Sequence, residues 1–213
     1  MLIRFDGTLK DNDQLRLIAD YLGSGKLLIY PTETIYGIGC DAFNETAVGR
    51  IYEIKQRPEN KPLILLVRDV NMLMELVAEI PLVAQQLMTA FWPGPLTMIF
   101  RAKPGISGLL TGGTGRIGVR QSPHPLVTSI FQGYGHPLVS TSANISNSAP
   151  AAVIKDIPTF ITEKVDLIID AGNIGSTPST VIDVMDSGIV YRREGAIKKT
   201  SIERLLYDRN KAI

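Results

Sequence analysis

Residues 27–57 read LLIYPTETIYGIGCDAFNETAVGRIYEIKQR. Leu27–Tyr30 is a short apolar run stopped by Pro31, the pattern of a buried strand. Thirteen residues beyond Pro31, Asn44 stands as a helix N-cap. It opens a segment over 44–56 in which Ala47, Val48, Ile51 and Tyr52 fall on one helical face. Pro62–Val67 is again a buried-strand run. Upstream, Leu15, Ile18, Tyr21 and Leu22 mark a helix over 14–22 that stops at Gly23 and Gly25. Downstream, residues 82–91 predict a helix ending before Pro93. Leu96–Phe100 and Arg116–Arg120 predict strands around a glycine-rich stretch, 104–115. His124–Phe131 predicts a helix with Pro125 in its first turn. Pro137–Thr141 and Val165–Asp170 predict strands. Ser179–Val184 and Ile189–Arg193 predict a hairpin across Asp186-Ser187-Gly188. Thr200 and Glu203 fit a capping box that opens a last helix. Strands and helices alternate and then end in a hairpin, so the fold class is α/β with a mixed sheet in one domain.

Composition narrows the function. The chain has 213 residues, with 22 Lys plus Arg against 21 Asp plus Glu, a formal net charge of +1 that argues against a basic nucleic-acid coat. One cysteine, Cys40, excludes an internal disulfide and a cysteine-rich zinc site. The two histidines, His124 and His136, lie twelve apart, and no HExxH pairing occurs. No apolar run is long enough to span a bilayer, and the N-terminal MLIRFDGTLKDND lacks a secretory core. The expected compartment is the cytoplasm, where the two N-x-S/T matches, at Asn44 and Asn144, carry no meaning.

Several motifs read as ordinary structure. Gly23-Ser24-Gly25-Lys26 lacks the first glycine and the Ser/Thr of a P-loop, and it follows a helix, so it reads as a helix stop. Gly37-Ile38-Gly39-Cys40-Asp41-Ala42 matches only the loosest dinucleotide fingerprint. Cys40 reads as a small buried hydrophobe and His124 as a capping or surface residue. Three places carry chemistry. Lys55, Arg57 and Lys61 put three cations into seven residues where a helix ends, which suits either helix-end charge or a polyanion clamp. Ser140-Thr141-Ser142-Ala143-Asn144-Ile145-Ser146 follows an apolar strand with small polar groups, where α/β folds hold ligands; the alternative is a capping turn. Ser176–Thr180 is a second hydroxyl-rich loop. Arg116, Arg120, Arg192 and Arg193 add cations at strand ends, and Arg192 and Arg193 must face opposite sides.

Taken in order, P-T-E-T-I-Y-G-I-G-C from Pro31, K-Q-R at 55–57, K-P-L at 61–63, F-W-P-G-P-L-T at 91–97 and S-T-S-A-N at 140–144 resemble the YrdC family of threonylcarbamoyl-AMP synthases. The resemblance covers roughly residues 12–200. It implies a single twisted mixed-sheet domain over residues 1–213, with a large concave positive cavity and without the C-terminal domain of longer members. It implies condensation of L-threonine, bicarbonate or CO₂, and ATP into threonylcarbamoyl-AMP and pyrophosphate. A separate tRNA threonylcarbamoyl transferase then uses the product on the adenosine beside the anticodon. Carried over, Lys55 and Arg57 are the catalytic cations. Thr32 falls in the threonine pocket, and Lys61, Arg120, Ser140, Ser142, Asn144, Ser179 and Arg193 fall among the substrate-binding residues. Mg²⁺ is expected on the ATP phosphates and no protein metal site is expected. Two positions depart from the family: Leu66 where histidine is common and Glu194 where proline is common. A YciO-like paralogue acting on a related acyl adenylate is the alternative enzyme. A basic RNA-binding face without chemistry is the alternative outside enzymology. No nucleophile–base pair is evident, so the chemistry would rest on positioning and on cations. The 104–115 stretch is a candidate lid by composition.

Overall fold

The structure, a computed structural model, describes residues 1–9, 12–145, 148–186 and 188–210. Ser146 and Ser187, singled out above, lie outside them. The strands are β1 (Leu2–Arg4), β2 (Leu28–Tyr30), β3 (Gly37–Gly39), β4 (Ile64–Leu66), β5 (Leu96–Arg101), β6 (Arg116–Arg120), β7 (Leu138–Val139), β8 (Thr141–Ser142), β9 (Leu167–Asp170), β10 (Thr180–Met185) and β11 (Gly188–Arg193). The helices are α1 (Asn12–Gly23), α2 (Glu45–Lys55), α3 (Val70–Leu76), α4 (Leu82–Phe91), α5 (Gly108–Thr111), α6 (Pro125–Gly133), α7 (Thr159–Thr162) and α8 (Lys199–Asn210). Two mixed sheets form, in the orders β1-β9-β2-β3-β8 and β11-β10-β5-β6-β4-β7.

Local chemistry explains the elements found in the sequence. Asn44 caps α2, its side-chain oxygen accepting from the Ala47 amide at 2.9 Å, and Ala47, Val48, Ile51 and Tyr52 are buried as their spacing required. The helix ends at Gln56, whose φ of 49° is left-handed. His124 caps α6 through Nδ1, which accepts from the Leu126 amide at 3.2 Å. Gly23–Lys26 is the exit turn of α1, with the Lys26 amide donating to the Tyr21 carbonyl at 3.0 Å. The interior is aliphatic: Ile29, Ile38, Ile51, Leu65, Met98, Val119 and Ile182 are all fully buried. Each contributes about 1.5–3 kcal/mol.

Four expectations change. The Pro137–Thr141 strand is broken at Ser140: β7 pairs with β4 in one sheet, and β8 pairs with β3 in the other. The chain thus changes sheets at this residue. The glycines of 37–42 allow the crossing. A Cβ on Gly39 would lie 2.2 Å from the Val139 carbonyl oxygen, and one on Gly37 would lie 2.9 Å from Ser140 Oγ. They serve backbone approach, not a pyrophosphate. The capping box does not form, because Thr200 lies inside α8; the Lys199 amide instead donates to Glu194 Oε2 at 3.2 Å. The 104–115 stretch, expected as a lid, is tied into the fold. It contains α5 and braces the 57–63 loop, with the Leu63 amide donating to the Leu110 carbonyl at 3.2 Å and Tyr52 Oη to the Leu109 carbonyl at 2.7 Å. The sequence pattern also missed β1, β3, α3, α5 and α7, which are too short to show a period.

Candidate functional site

Two adjoining chambers open where the sheets part. The inner one, about 120 Å³, takes Gly37, Thr141 and Ser142 from one sheet, Ile64, Arg120 and Arg193 from the other, and Thr32, Thr34 and Ile35 from the 31–36 loop. The outer one, about 320 Å³, adds Lys55, Asn144 and Pro178. Ile35, Arg57, Ser142 and Arg193 border both and form the neck between them.

Lys55, at the last turn of α2, is almost wholly buried. Its Nζ donates to the Ser142 carbonyl and to the Asn144 carbonyl at 2.6 Å, and lies 3.4 Å from Asn144 Oδ1. Burial, and after it the nearby Arg57 charge, lowers its pKa to about 7. The three oxygens act the other way, since they match the three donors of an ammonium. Lys55 therefore ties the S-T-S-A-N loop to the end of α2. Asn144 completes that tie through Nδ2, 2.5 Å from the Ser148 carbonyl. Arg57 is half-buried, and burial lowers its pKa. It donates to the Pro62 carbonyl at 2.8 Å and the Lys61 carbonyl at 3.3 Å, and pairs with no carboxylate among the described residues. Arg193 donates to Ser179 through Nε (to the carbonyl, 3.1 Å) and Nη2 (to Oγ, 3.2 Å). Arg192 points the other way, to Asp183 at 2.7 Å, so the alternation along β11 holds.

The structure thus brings Lys55, Arg57, Thr32, Arg120, Ser140, Ser142, Asn144, Ser179 and Arg193 to the two chambers. It does not bring Lys61: that residue is exposed, lines neither chamber, and contributes its carbonyl where its ammonium was expected. The Thr32 hydroxyl is engaged within its own loop, donating to the Ile35 carbonyl at 2.7 Å. Ser179 Oγ is likewise engaged, 2.9 Å from Thr97 Oγ1. Leu66 is fully buried and lines neither chamber; Ile64 on the same strand does. Two residues were missed. Thr34 lines the inner chamber and accepts from Arg120 Nη1 at 2.8 Å. Glu33 lies behind it, Oε1 2.8 Å from Arg120 Nη1. Both stand inside the quoted P-T-E-T run, and three consecutive polar residues directly after a buried strand were the available signal. Cys40 is buried, and burial pushes its thiol pKa far up, so it stays protonated. Among the described residues no three His, Cys, Asp or Glu side chains form a metal cluster. No helix among them is long and apolar enough to cross a membrane.

The junction of the two sheets of this mixed α/β fold thus carries three guanidiniums and a row of small hydroxyls, donor groups of the kind that suit small oxyanions. Residues 20–195 match the Sua5/YciO/YrdC family model, described as "Telomere recombination". The chain is 35% identical over 195 residues to the threonylcarbamoyl-AMP synthase of Pyrococcus abyssi (strain GE5 / Orsay), which covers 91% of this chain and 57% of that protein. It superposes on P. abyssi Sua5 complexed with L-threonine with a TM-score of 0.90 and 33% identity, over 97% of this chain and 61% of that one. It also superposes on E. coli YciO, with a TM-score of 0.85 and 27% identity, over 93% of this chain and 97% of that one. The chain belongs to the Sua5/YciO/YrdC family. It spans less than two thirds of the length of the Pyrococcus proteins it matches.

Proposed function

We propose that this chain is an L-threonylcarbamoyladenylate synthase, a nucleotidyltransferase. The observation that carries the reading is the neck: a smaller and a larger chamber meet at Arg57 and Arg193. A carbamate in the inner chamber would face the α-phosphate of ATP in the outer one. The P. abyssi relative bears the synthase name, and its structure was determined with L-threonine.

The threonine amine adds to CO₂ and loses a proton, giving a carbamate. A carbamate oxygen then bonds to the α-phosphorus while the bond to pyrophosphate breaks. The attacking and attacked groups are both anionic, so the guanidiniums must offset their repulsion and meet charge as it develops. Arg57 and Arg193 at the neck do this. Thr34, Ser140 and Thr141 orient the amino acid, and the loop tied down by Lys55 borders the nucleotide. Magnesium would arrive on the ATP phosphates, where it needs few protein ligands. The product would pass to a tRNA threonylcarbamoyl transferase, and the reaction would then run in the compartment of that transferase, expected to be the cytoplasm.

The test is incubation with ATP, Mg²⁺, bicarbonate and L-threonine, followed by mass analysis. Threonylcarbamoyl-AMP and pyrophosphate are expected, with both threonine and bicarbonate required. Equal ATP consumption without threonine, or ADP as product, overturns the reading. Turnover confined to another acyl adenylate would favour the YciO-like alternative. Salt-sensitive RNA retention without ATP turnover would favour a binding module.

A further inference from the structure

Three guanidiniums border the inner chamber, yet only one has a carboxylate beside it among the described residues. Glu33 and Arg120 are 13% and 5% exposed, and Glu33 Oε1 is 2.8 Å from Arg120 Nη1. That contact is out of line for a hydrogen bond, so Oε1 has no hydrogen-bond partner. The other carboxylate oxygen, Oε2, is held by the Ser122 hydroxyl. Ser122 in turn accepts from the His124 amide at 3.3 Å, just before α6. On the arginine, Nη1 also donates to Thr34 Oγ1 at 2.8 Å. Arg120 Nε is buried and has no acceptor. The protein alone therefore leaves this chamber-lining guanidinium with an unpaired donor, a feature that asks for an explanation.

We infer that Glu33 is a positioning residue: by fixing Nη1 of Arg120 against Thr34, it keeps the guanidinium turned so that the remaining N–H groups meet a ligand oxyanion in the inner chamber. The physical need is clear. Arg120 and Arg193 repel each other across the chamber, and a neutral hydroxyl alone holds a buried guanidinium weakly. Glu33 lines neither chamber, so it acts through Arg120 and not on substrate. Its own place is set by Ser122, which makes Glu33, Ser122 and the start of α6 one support for a single side chain.

The inference rests on the proposed synthase reading for its kinetic arm alone. In that arm, Glu33→Gln raises the KM for threonine far more than it lowers kcat, and kcat/KM falls about 10²-fold, the scale of a misplaced binding group. Ser122→Ala gives a smaller loss of the same kind. In an Arg120→Ala background, Glu33→Gln adds no further loss. An equal loss in both backgrounds overturns the inference. The second arm needs no activity. Phenylglyoxal modification of each arginine is timed by peptide mass spectrometry in the parent, Glu33→Gln and Ser122→Ala proteins. Arg120 is expected to react several-fold faster in both variants while Arg57 and Arg193 keep their parental rates. An unchanged Arg120 rate, or equal acceleration at all three sites, overturns the inference even if threonine proves not to be the substrate. A parent without threonine-dependent turnover but with selective Arg120 exposure in the variants would instead sink the substrate reading and keep the positioning role.

Discussion

The Lys55 ammonium lies 2.6 Å from the backbone carbonyl oxygen of Asn144, eighty-nine residues away. A helix-end cation of the ordinary kind would reach solvent. This one joins the end of α2 to the loop after β8, on the wall of the outer chamber.

Lys55→Ala should therefore lose stability as well as function. Stranding the Ser142 and Asn144 carbonyls costs about 1–3 kcal/mol. Urea unfolding should show a lower midpoint with an unchanged slope. A parental midpoint would show that the tie adds nothing measurable to stability.

The same lysine predicts a pH dependence. Burial, then Arg57, lowers its pKa from 10.5 to about 7 in the folded protein. Between those values the unfolded chain binds a proton that the folded chain does not, so stability rises with pH. Below about 7 the penalty of the buried charge is complete; it is relieved as pH rises toward 10.5. The unfolding free energy of the parent relative to Lys55→Met should climb from pH 7 to 10. A flat difference would mean that the carbonyl oxygens keep the ammonium charged throughout.

Arg57 should behave oppositely to Lys55 in stability. It is half-buried at the neck and donates to two carbonyls of its own loop. Arg57→Ala should melt close to the parent and lose about 10²–10³ in adenylate formation, the scale of one transition-state oxyanion contact. Arg57→Lys should not recover full rate, because an ammonium lacks the planar fork. A large fall in melting temperature with near-parental turnover per folded molecule would make Arg57 a structural residue and leave Arg193 as the neck's functional cation.

Threonine should be preferred to valine. The inner chamber presents Thr34, Ser140 and Thr141 to a side-chain hydroxyl. A site built for a hydroxyl rejects its absence by up to about 10⁴–10⁵-fold. Comparison of kcat/KM for the two amino acids measures this, and equal values would rule out a hydroxyl-reading pocket.

Gly39→Ala tests the sheet crossing. The added Cβ would meet the Val139 carbonyl oxygen at 2.2 Å, against backbone that cannot yield cheaply. A loss of about 1–3 kcal/mol or more in unfolding free energy is expected. Unchanged stability would place the glycine's role elsewhere.

What could be read from the chain alone was local. Asn44 announces α2 because a cap acts on the next three residues, and Ala47, Val48, Ile51 and Tyr52 declare a buried face because helical period is a short-range property. The opposite facing of Arg192 and Arg193 follows from strand geometry in the same way. The K-x-R and S-T-S-A-N runs could be picked out as polar groups at element ends, and the structure brings both to the chambers. The fold decided what depends on distant partners. Ser140 divides a single apolar run between two sheets because β4 and β3 each offer a free edge on either side of it. Lys55 is buried and Lys61 exposed, although both are lysines of one motif, because only the first meets the 142–144 loop. Glu33 lies eighty-seven residues before Arg120 in the chain, and nothing between them encodes the pairing. Contacts of that separation arise from packing of whole elements, which a one-dimensional pattern of polar and apolar residues does not contain.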